Sequence, residues 1–229
     1  MSSIIDQLRR QHETLTRPAP GLTTAPASAP AIERLKLAPF ASDPARTLRP
    51  GRLMVVSMKP YGAPGRSYPF GWDERAARPG LHRWYDGDRA GGNFVREADQ
   101  LLRGVLAAMG LSTDPREVFN TYAYFWRAHD ARQLKSFGLE RVDCAPYHRA
   151  FLAIVDPEVV LCIGNGPPPS AFALYRRLLG PDAVAEATPA PRTKVRSFRA
   201  GGRLVVGVPH LSYVRAGALL PTVTGLVAN

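Results

Sequence analysis

The sequence predicts an α/β fold, a three-layer α/β/α sandwich around a four-stranded, mainly parallel central sheet. Three observations carry this expectation. Four short segments, residues 53–56, 117–122, 159–163 and 204–208, read as buried strands, most of them continuous apolar runs. Segments with helical period separate them. Each interval is long enough for the crossover helix that parallel pairing requires.

In chain order, Ser2 or Ser3 can cap a short helix reaching about Leu15, with Ile4, Ile5, Leu8 and Leu15 on its apolar side. Pro18, Pro20, Pro26 and Pro30 then break up a Pro/Ala/Thr-rich stretch, so residues 1–31 are expected to be an arm and linker and residues 32–229 one folded domain. After the first strand, residues 57–73 are dense in Pro and Gly. Residues 74–92 show no clear period and read as an insertion or lid. Asn93 is the expected cap of a core helix, since Phe94, Val95, Ala98, Leu101, Leu102, Val105, Leu106 and Met109 follow the 3.6-residue period and Gly110 supplies a stop. A polar segment, residues 127–141, leads to a helix at about 145–155 with Asp143 as cap. Gly164-Asn165-Gly166-Pro167-Pro168-Pro169 is a rigid turn, residues 170–179 a helix ended by Gly180, and residues 192–199 a basic loop before the fourth strand.

Charge narrows the function. A formal net charge of +11 in 229 residues points to a polyanionic partner, with nucleic acid first, because basic groups gain affinity by releasing phosphate counterions. Of the 30 basic residues 26 are Arg, a bias that a GC-rich genome also produces, so motifs must decide. No apolar run is long enough to span a membrane and residues 1–15 lack the apolar centre of a signal peptide, so a cytoplasmic protein, at the nucleoid while acting on DNA, is expected. Cys144 and Cys162 alone cannot hold a four-cysteine iron–sulfur cluster within one chain, and both are expected to be reduced.

The first strand runs into S-M-K-P-Y-G-A-P-G-R-S-Y-P-F-G-W-D, residues 57–73, at the strand end where open α/β sheets bind ligands. This loop resembles the G-Q-D-P-Y-H-G-P-G-Q motif of the uracil-DNA glycosylase superfamily. Pro60, Tyr61, Pro64 and Gly65 match it without gaps, and Trp72 falls where the family has a stacking Phe, with Phe70 beside it. Ser57 replaces the first Gly, Lys59 the water-activating Asp, and Gly62 the His. The second strand ends V-F-N-T-Y, where the family has L-L-N. Asn120 by resemblance reads the O4 and N3–H edge of a flipped pyrimidine with its amide donor and acceptor, although an Asn here also closes strands by bonding its own backbone.

The fourth strand ends V-P-H-L-S-Y-V-R, similar to the family's H-P-S-P-L-S loop, with His210 and Ser212 in matching places. His210 would donate to O2 of the departing base and stabilise its developing charge. Leu211, Tyr213 and Val214 are candidates for the wedge that fills the vacated stack, and Arg215 for a phosphate contact. The turn from Gly164 to Ser170 sits where the family pinches the DNA backbone; a plain strand-to-helix turn is the equal alternative.

The resemblance covers residues 52–220 and implies a monomeric enzyme that needs no cofactor and excises a base from flipped DNA, leaving an abasic site. Lys59 departs most from it. Three roles stay open: a phosphate contact; a mechanism leaning on His210, with Asp73, Asp86 or Asp88 supporting the sugar cation; or a deprotonated amine that attacks the sugar and forms a Schiff base. Tyr61, which in the family excludes C5 substituents, favours uracil. Gly62 and residues 74–92, with Trp84, Tyr85, Asp86 and Asp88, favour a bulky modified pyrimidine such as phage DNA carries. A catalytically silent DNA-binding relative is the remaining alternative.

Overall fold

The computed structural model describes residues 39–60, 82–86, 92–136 and 143–228. The expected arm and linker lie outside them. Six strands form one mixed sheet: β1 Leu53–Ser57, β2 Phe119–Tyr122, β3 Val159–Ile163, β4 Ala185–Ala190, β5 Thr193–Ala200 and β6 Arg203–Val208, in the spatial order β2-β1-β3-β6-β5-β4. The four expected strands are β1, β2, β3 and β6, each parallel to its neighbour among them. In β1 and β3 every residue is buried, as their unbroken apolar runs require.

The expected four-stranded sheet is therefore corrected to six strands. The segment read as a basic loop is β5, antiparallel to β6 through pairs such as Arg196 with Gly207 and Phe198 with Val205. Val195 and Ser197 are buried while Lys194 and Arg199 are exposed, a half-buried alternation that the run of basic residues obscures. β4 is an edge strand with no buried residue and Pro189 inside it, so it carries no apolar signal and is held by its backbone pairing with β5.

Seven helices surround the described sheet: α1 Pro44–Thr47, α2 Arg83–Asp86, α3 Asn93–Ala108, α4 Ala131–Ser136, α5 Ala145–Val155, α6 Ala171–Leu179 and α7 Ala216–Val227. α3 buries Val95, Ala98, Leu101, Leu102, Val105 and Leu106, the expected stripe, but its N-cap is Gly92 and Asn93 is its first residue. α6 has the expected ends. Ser170 Oγ accepts from Ala173 N at 3.1 Å, and Gly180 closes the helix at φ 57°. α2 falls inside the stretch read as a lid, and α7 has no counterpart among the expected elements. Gly217, Pro221 and Gly225 blur the period of α7, which forms because Ala216, Leu219 and Val223 are buried and Leu220 packs against Gly104 of α3.

Side chains alternate across β2 and so divide the sheet into two faces. Phe119 points to the side of α5, where its ring meets Phe151 at 5.2 Å. On that side His148 is fully buried, sharing a hydrogen bond with Tyr175 at 3.0 Å; desolvation lowers its pKa to about 4, so it is a neutral structural group. Asn120 and Tyr122 point to the opposite side. Their register partners Val55 and Ser57 share that face, because paired residues of parallel strands project the same way.

Candidate functional site

The carboxyl ends of β1, β2 and β6 supply the site. Beyond β1, residues 57–60 run beside the chain that follows β2. Ala123 N donates to Ser57 O at 2.7 Å, Tyr124 N to Met58 O at 3.0 Å and Ala128 N to Pro60 O at 3.5 Å. Lys59 is half-buried there, and its Nζ donates to the Ala128 carbonyl. Desolvation, then the positive charge of Arg83, lower its pKa to about 8, against a smaller opposing pull from Asp130.

Asn120 is 1% exposed, and neither its Oδ1 nor its Nδ2 has a hydrogen-bond partner among the described residues. Its backbone is fully engaged. Asn120 N donates to Ser42 Oγ at 2.9 Å, and its carbonyl accepts from Ala41 N at 2.9 Å. The strand-closing role is therefore taken by Ser42, and the Asn120 amide is left over. On the same face Ser57 Oγ is also buried without a partner. Leaving such groups unmet costs about 1–3 kcal/mol each, which a packed core avoids.

His210 follows β6 in an exposed loop, with Phe94 at 5.1 Å and Tyr213 at 5.8 Å between ring centroids. Its Nδ1 accepts from Ser212 N at 3.3 Å, so the neutral ring carries its proton on Nε2. Part of the ring is open to water, yet close packing desolvates the rest, and this together with the charge on Lys59 lowers its pKa below the ordinary value. His210 and Lys59 thus act on each other electrostatically, and His210 is neutral at pH 7.

Several expected roles change in the structure. Leu211 is 1% exposed and cannot serve as a wedge, and Val214 is half-buried; Tyr213, 88% exposed beside His210, is the projecting group. Arg215 already has a partner, since its guanidinium donates to Glu97 at 2.7 Å while the other Glu97 oxygen accepts from Ala216 N at 2.7 Å. Ser170 spends its hydroxyl on the Gly166 carbonyl at 2.8 Å and on capping α6. Gly164, at φ 114°, donates to Val208 O at 2.8 Å, and Asn165 Nδ2 ties the turn to Lys194 O and Gly207 O at 2.6 and 2.9 Å. The turn is thereby a braced strand-to-helix connection.

Trp84 packs edge-on to Phe94, Tyr85 donates to Asp99 at 2.9 Å, and Asp86 accepts from His82 N at 2.8 Å and from Arg116 at 3.1 Å. These three side chains are committed to the fold rather than presented to a ligand. Tyr61, Gly62, Pro64, Gly65, Phe70, Trp72, Asp73 and Asp88 lie outside the described residues.

No model of a known protein family matches this chain, and no curated protein does. The site therefore stands on its own geometry. Sequence reasoning missed Arg83, which is 7% exposed and holds its guanidinium 5.4 Å from the centroid of the Tyr122 ring. Only the H-R-W-Y run marks it in sequence, and an Arg there reads as a solvated charge. Two clefts, of about 190 and 140 Å³, lie elsewhere: one between α1 and the Pro115–Glu117 turn, the other at the amino end of β1. Ion pairs of Arg46 with Glu117 and Arg116 with Asp86 cross the first of them, so it is a salt-bridged surface fold rather than a ligand pocket. Among the described residues no helix is long and apolar enough to cross a membrane, and no three His, Cys, Asp or Glu side chains cluster as metal ligands would.

Proposed function

We propose that this protein is a DNA glycosylase that flips out and excises a non-standard or modified pyrimidine, leaving an abasic site. The observation that carries the reading is the buried, unpartnered Asn120 amide, on the sheet face whose strand ends also bear Lys59 and His210. A pyrimidine supplies what Asn120 lacks: an acceptor at O4 for Nδ2 and, where N3 carries a proton, a donor for Oδ1. His210, neutral and protonated on Nε2, is suited to donate to O2 as the glycosidic bond breaks. Tyr213 is suited to enter the stack the base vacates, in place of Leu211.

The net charge of +11 supports a DNA partner, and the resemblance to the uracil-DNA glycosylase superfamily supports a monomer acting in the cytoplasm. The order β2-β1-β3, with α3 in the first crossover and α5 in the return, supports a three-layer sandwich under the right-handed crossover rule.

Incubating the full chain with DNAs carrying uracil or bulky modified pyrimidines, and identifying released bases by mass spectrometry, tests the function. Release that disappears in both Asn120→Ala and His210→Ala, with DNA affinity retained and still falling steeply with salt, is the expected result. No release from any DNA would leave a DNA-binding module, and negligible DNA binding at low salt would sink the reading altogether.

A further inference from the structure

The loop that carries His210 and Tyr213 runs from the end of β6 at Val208 to the start of α7 at Ala216. A side chain that acts on a ligand from a loop needs both ends of that loop held, since a misplacement of about an ångström costs much of its effect. The sheet holds the first end, where Val208 pairs with Ile163 of β3. At the second end α7 has no cap of its own, because Arg215 occupies the N-cap position without a side-chain cap bond. The acceptor comes from a different helix. Glu97 of α3 is 7% exposed, and its carboxylate oxygens accept from Ala216 N and from the Arg215 guanidinium, each at 2.7 Å. Three residues earlier on α3, and so on a neighbouring part of its surface, Phe94 sets its ring 5.1 Å from that of His210. Within the loop Tyr213 N donates to His210 O at 3.0 Å and Ser212 N to His210 Nδ1 at 3.3 Å.

We propose that Glu97 is a positioning residue, which caps α7 from α3 and thereby fixes the loop that presents His210 and Tyr213. What His210 does there rests on the glycosylase reading; the clamp on the loop does not. Ala216 is fully buried, so its N–H must find an acceptor within the protein. A Ser, Thr, Asp or Asn at residue 215 would supply one locally and leave the loop free to shift with α7. The acid on α3 supplies it and also ties the loop to the helix that touches His210. Its position fits that use, because Glu97 is the charged residue among Val95, Ala98, Leu101, Leu102, Val105 and Leu106 on the buried side of α3. Burying a carboxylate there is unfavourable unless its oxygens are bonded, and the two donors at the loop end meet that need. The negative charge also faces the positive end of the α7 dipole. α3 thus grips the loop twice, through Phe94 at the imidazole and through Glu97 where the loop enters α7.

NMR of the His210 ring nitrogens in the full chain tests the clamp without catalysis. Glu97→Ala is expected to raise the His210 pKa towards its ordinary value by about 0.5 or more, as the ring leaves Phe94 and regains water, and to let the Nδ1-protonated form appear. Loss of a carboxylate would by charge alone lower that pKa, so the sign separates displacement from charge. Glu97→Gln keeps an acceptor for Ala216 N and is expected to keep the original pattern. Where base release is measurable, Glu97→Ala should lower kcat at least about tenfold and change KM less than about threefold. Phe198→Leu, in the packing against Phe172 of α6, is the stability control, expected to lower the melting temperature and leave His210 unmoved. Circular dichroism identifies a Glu97→Ala chain that fails to fold, in which case Glu97→Asp, one methylene too short to span both donors, takes its place with the same expected shift. An unchanged His210 pattern or undiminished base release in the folded variant, a Glu97→Gln chain that behaves as Glu97→Ala does, or the same shifts in Phe198→Leu would each overturn the proposal. Shifted His210 resonances in Glu97→Ala, with no base released from any DNA by the unaltered chain, would instead remove the glycosylase reading and keep the clamp.

Discussion

The protonation of Lys59 separates two chemistries that would otherwise look alike. Burial and Arg83 bring its pKa to about 8, so about nine in ten side chains are charged at pH 7 and about one in ten at pH 9. If the ammonium is the working form, kcat/KM for base release, which follows ionisations of the free enzyme, should fall about tenfold between pH 7 and pH 9. If the neutral amine attacks the sugar, the same quantity should rise about tenfold over that interval. His210 contributes the acidic limb, because its pKa lies below the ordinary value and the neutral ring is the form with Nδ1 free to accept from Ser212. Single-turnover base release, followed by mass spectrometry at constant ionic strength, gives the profile, and Lys59→Gln should flatten its alkaline limb and raise the pKa of His210 as read by NMR. A rate that climbs through pH 8, accompanied by a borohydride-trapped adduct at Lys59, would refute the cationic role and establish the Schiff base.

Three further expectations concern stability. Lowering the Lys59 pKa from 10.5 to about 8 opposes folding by at most about 3 kcal/mol, less for the share of the side chain still in water. This penalty is fully present below pH 8 and is relieved as pH rises towards 10.5, so Lys59→Met should raise the melting temperature at pH 7 and lose most of that gain near pH 10; a lower melting temperature at pH 7 would contradict the assigned burial. Asn120→Val removes an unpartnered amide from a strand and should leave stability unchanged or raise it by about 1 kcal/mol in urea titrations while abolishing base release. Glu97→Ala leaves Ala216 N without its acceptor and frees Arg215, at a cost of about 1–3 kcal/mol in the same titration. Because Ala216 N and Arg215 hold the Glu97 pKa below its ordinary value, that contribution is present above pH 4.5 and is lost as the carboxylate protonates at lower pH.

What the sequence reveals depends on whether an element is made by its own apolar pattern or by its neighbours. β1, β3 and α3 carry uninterrupted or strictly periodic apolar residues and are legible. β5 hides because Lys194, Arg196 and Arg199 dominate its composition while the alternation that buries Val195 and Ser197 is brief. β4 and α7 form through pairing and docking that no local pattern announces. The site divides in the same way. Lys59, Asn120 and His210 fall at strand ends and can be found from order along the chain, whereas Arg83 reaches the site only because the chain at residues 40–42 lines β2 and holds α2 against it. Packing commits Leu211 to the core and local hydrogen bonds occupy the Ser170 hydroxyl, neither of which residue type reveals, whereas Arg215 pairs with Glu97 and keeps most of its side chain exposed.

Buried side-chain atoms without a hydrogen-bond partner among the described residues occur at several places, Tyr147 Oη and Arg203 Nε as well as Ser57 Oγ and the Asn120 amide. Surface ion pairs join Arg52 with Glu158, Arg103 with Asp99, Arg196 with Glu186 and Arg203 with Asp156. Such pairs add at most about 1 kcal/mol each and bear little on the fold. Where β1 and β2 end, the Asn120 amide and the Ser57 hydroxyl are buried on one face with no hydrogen-bond partner among the described residues, and the desolvated Lys59 follows Ser57 by two positions. A protein selected for stability alone would replace Asn120 and Lys59 with apolar residues, as the Lys59→Met and Asn120→Val comparisons test directly. Under the proposed function, a pyrimidine supplies the acceptor and the donor that the Asn120 amide lacks, and that pairing is what would offset the cost of keeping it buried.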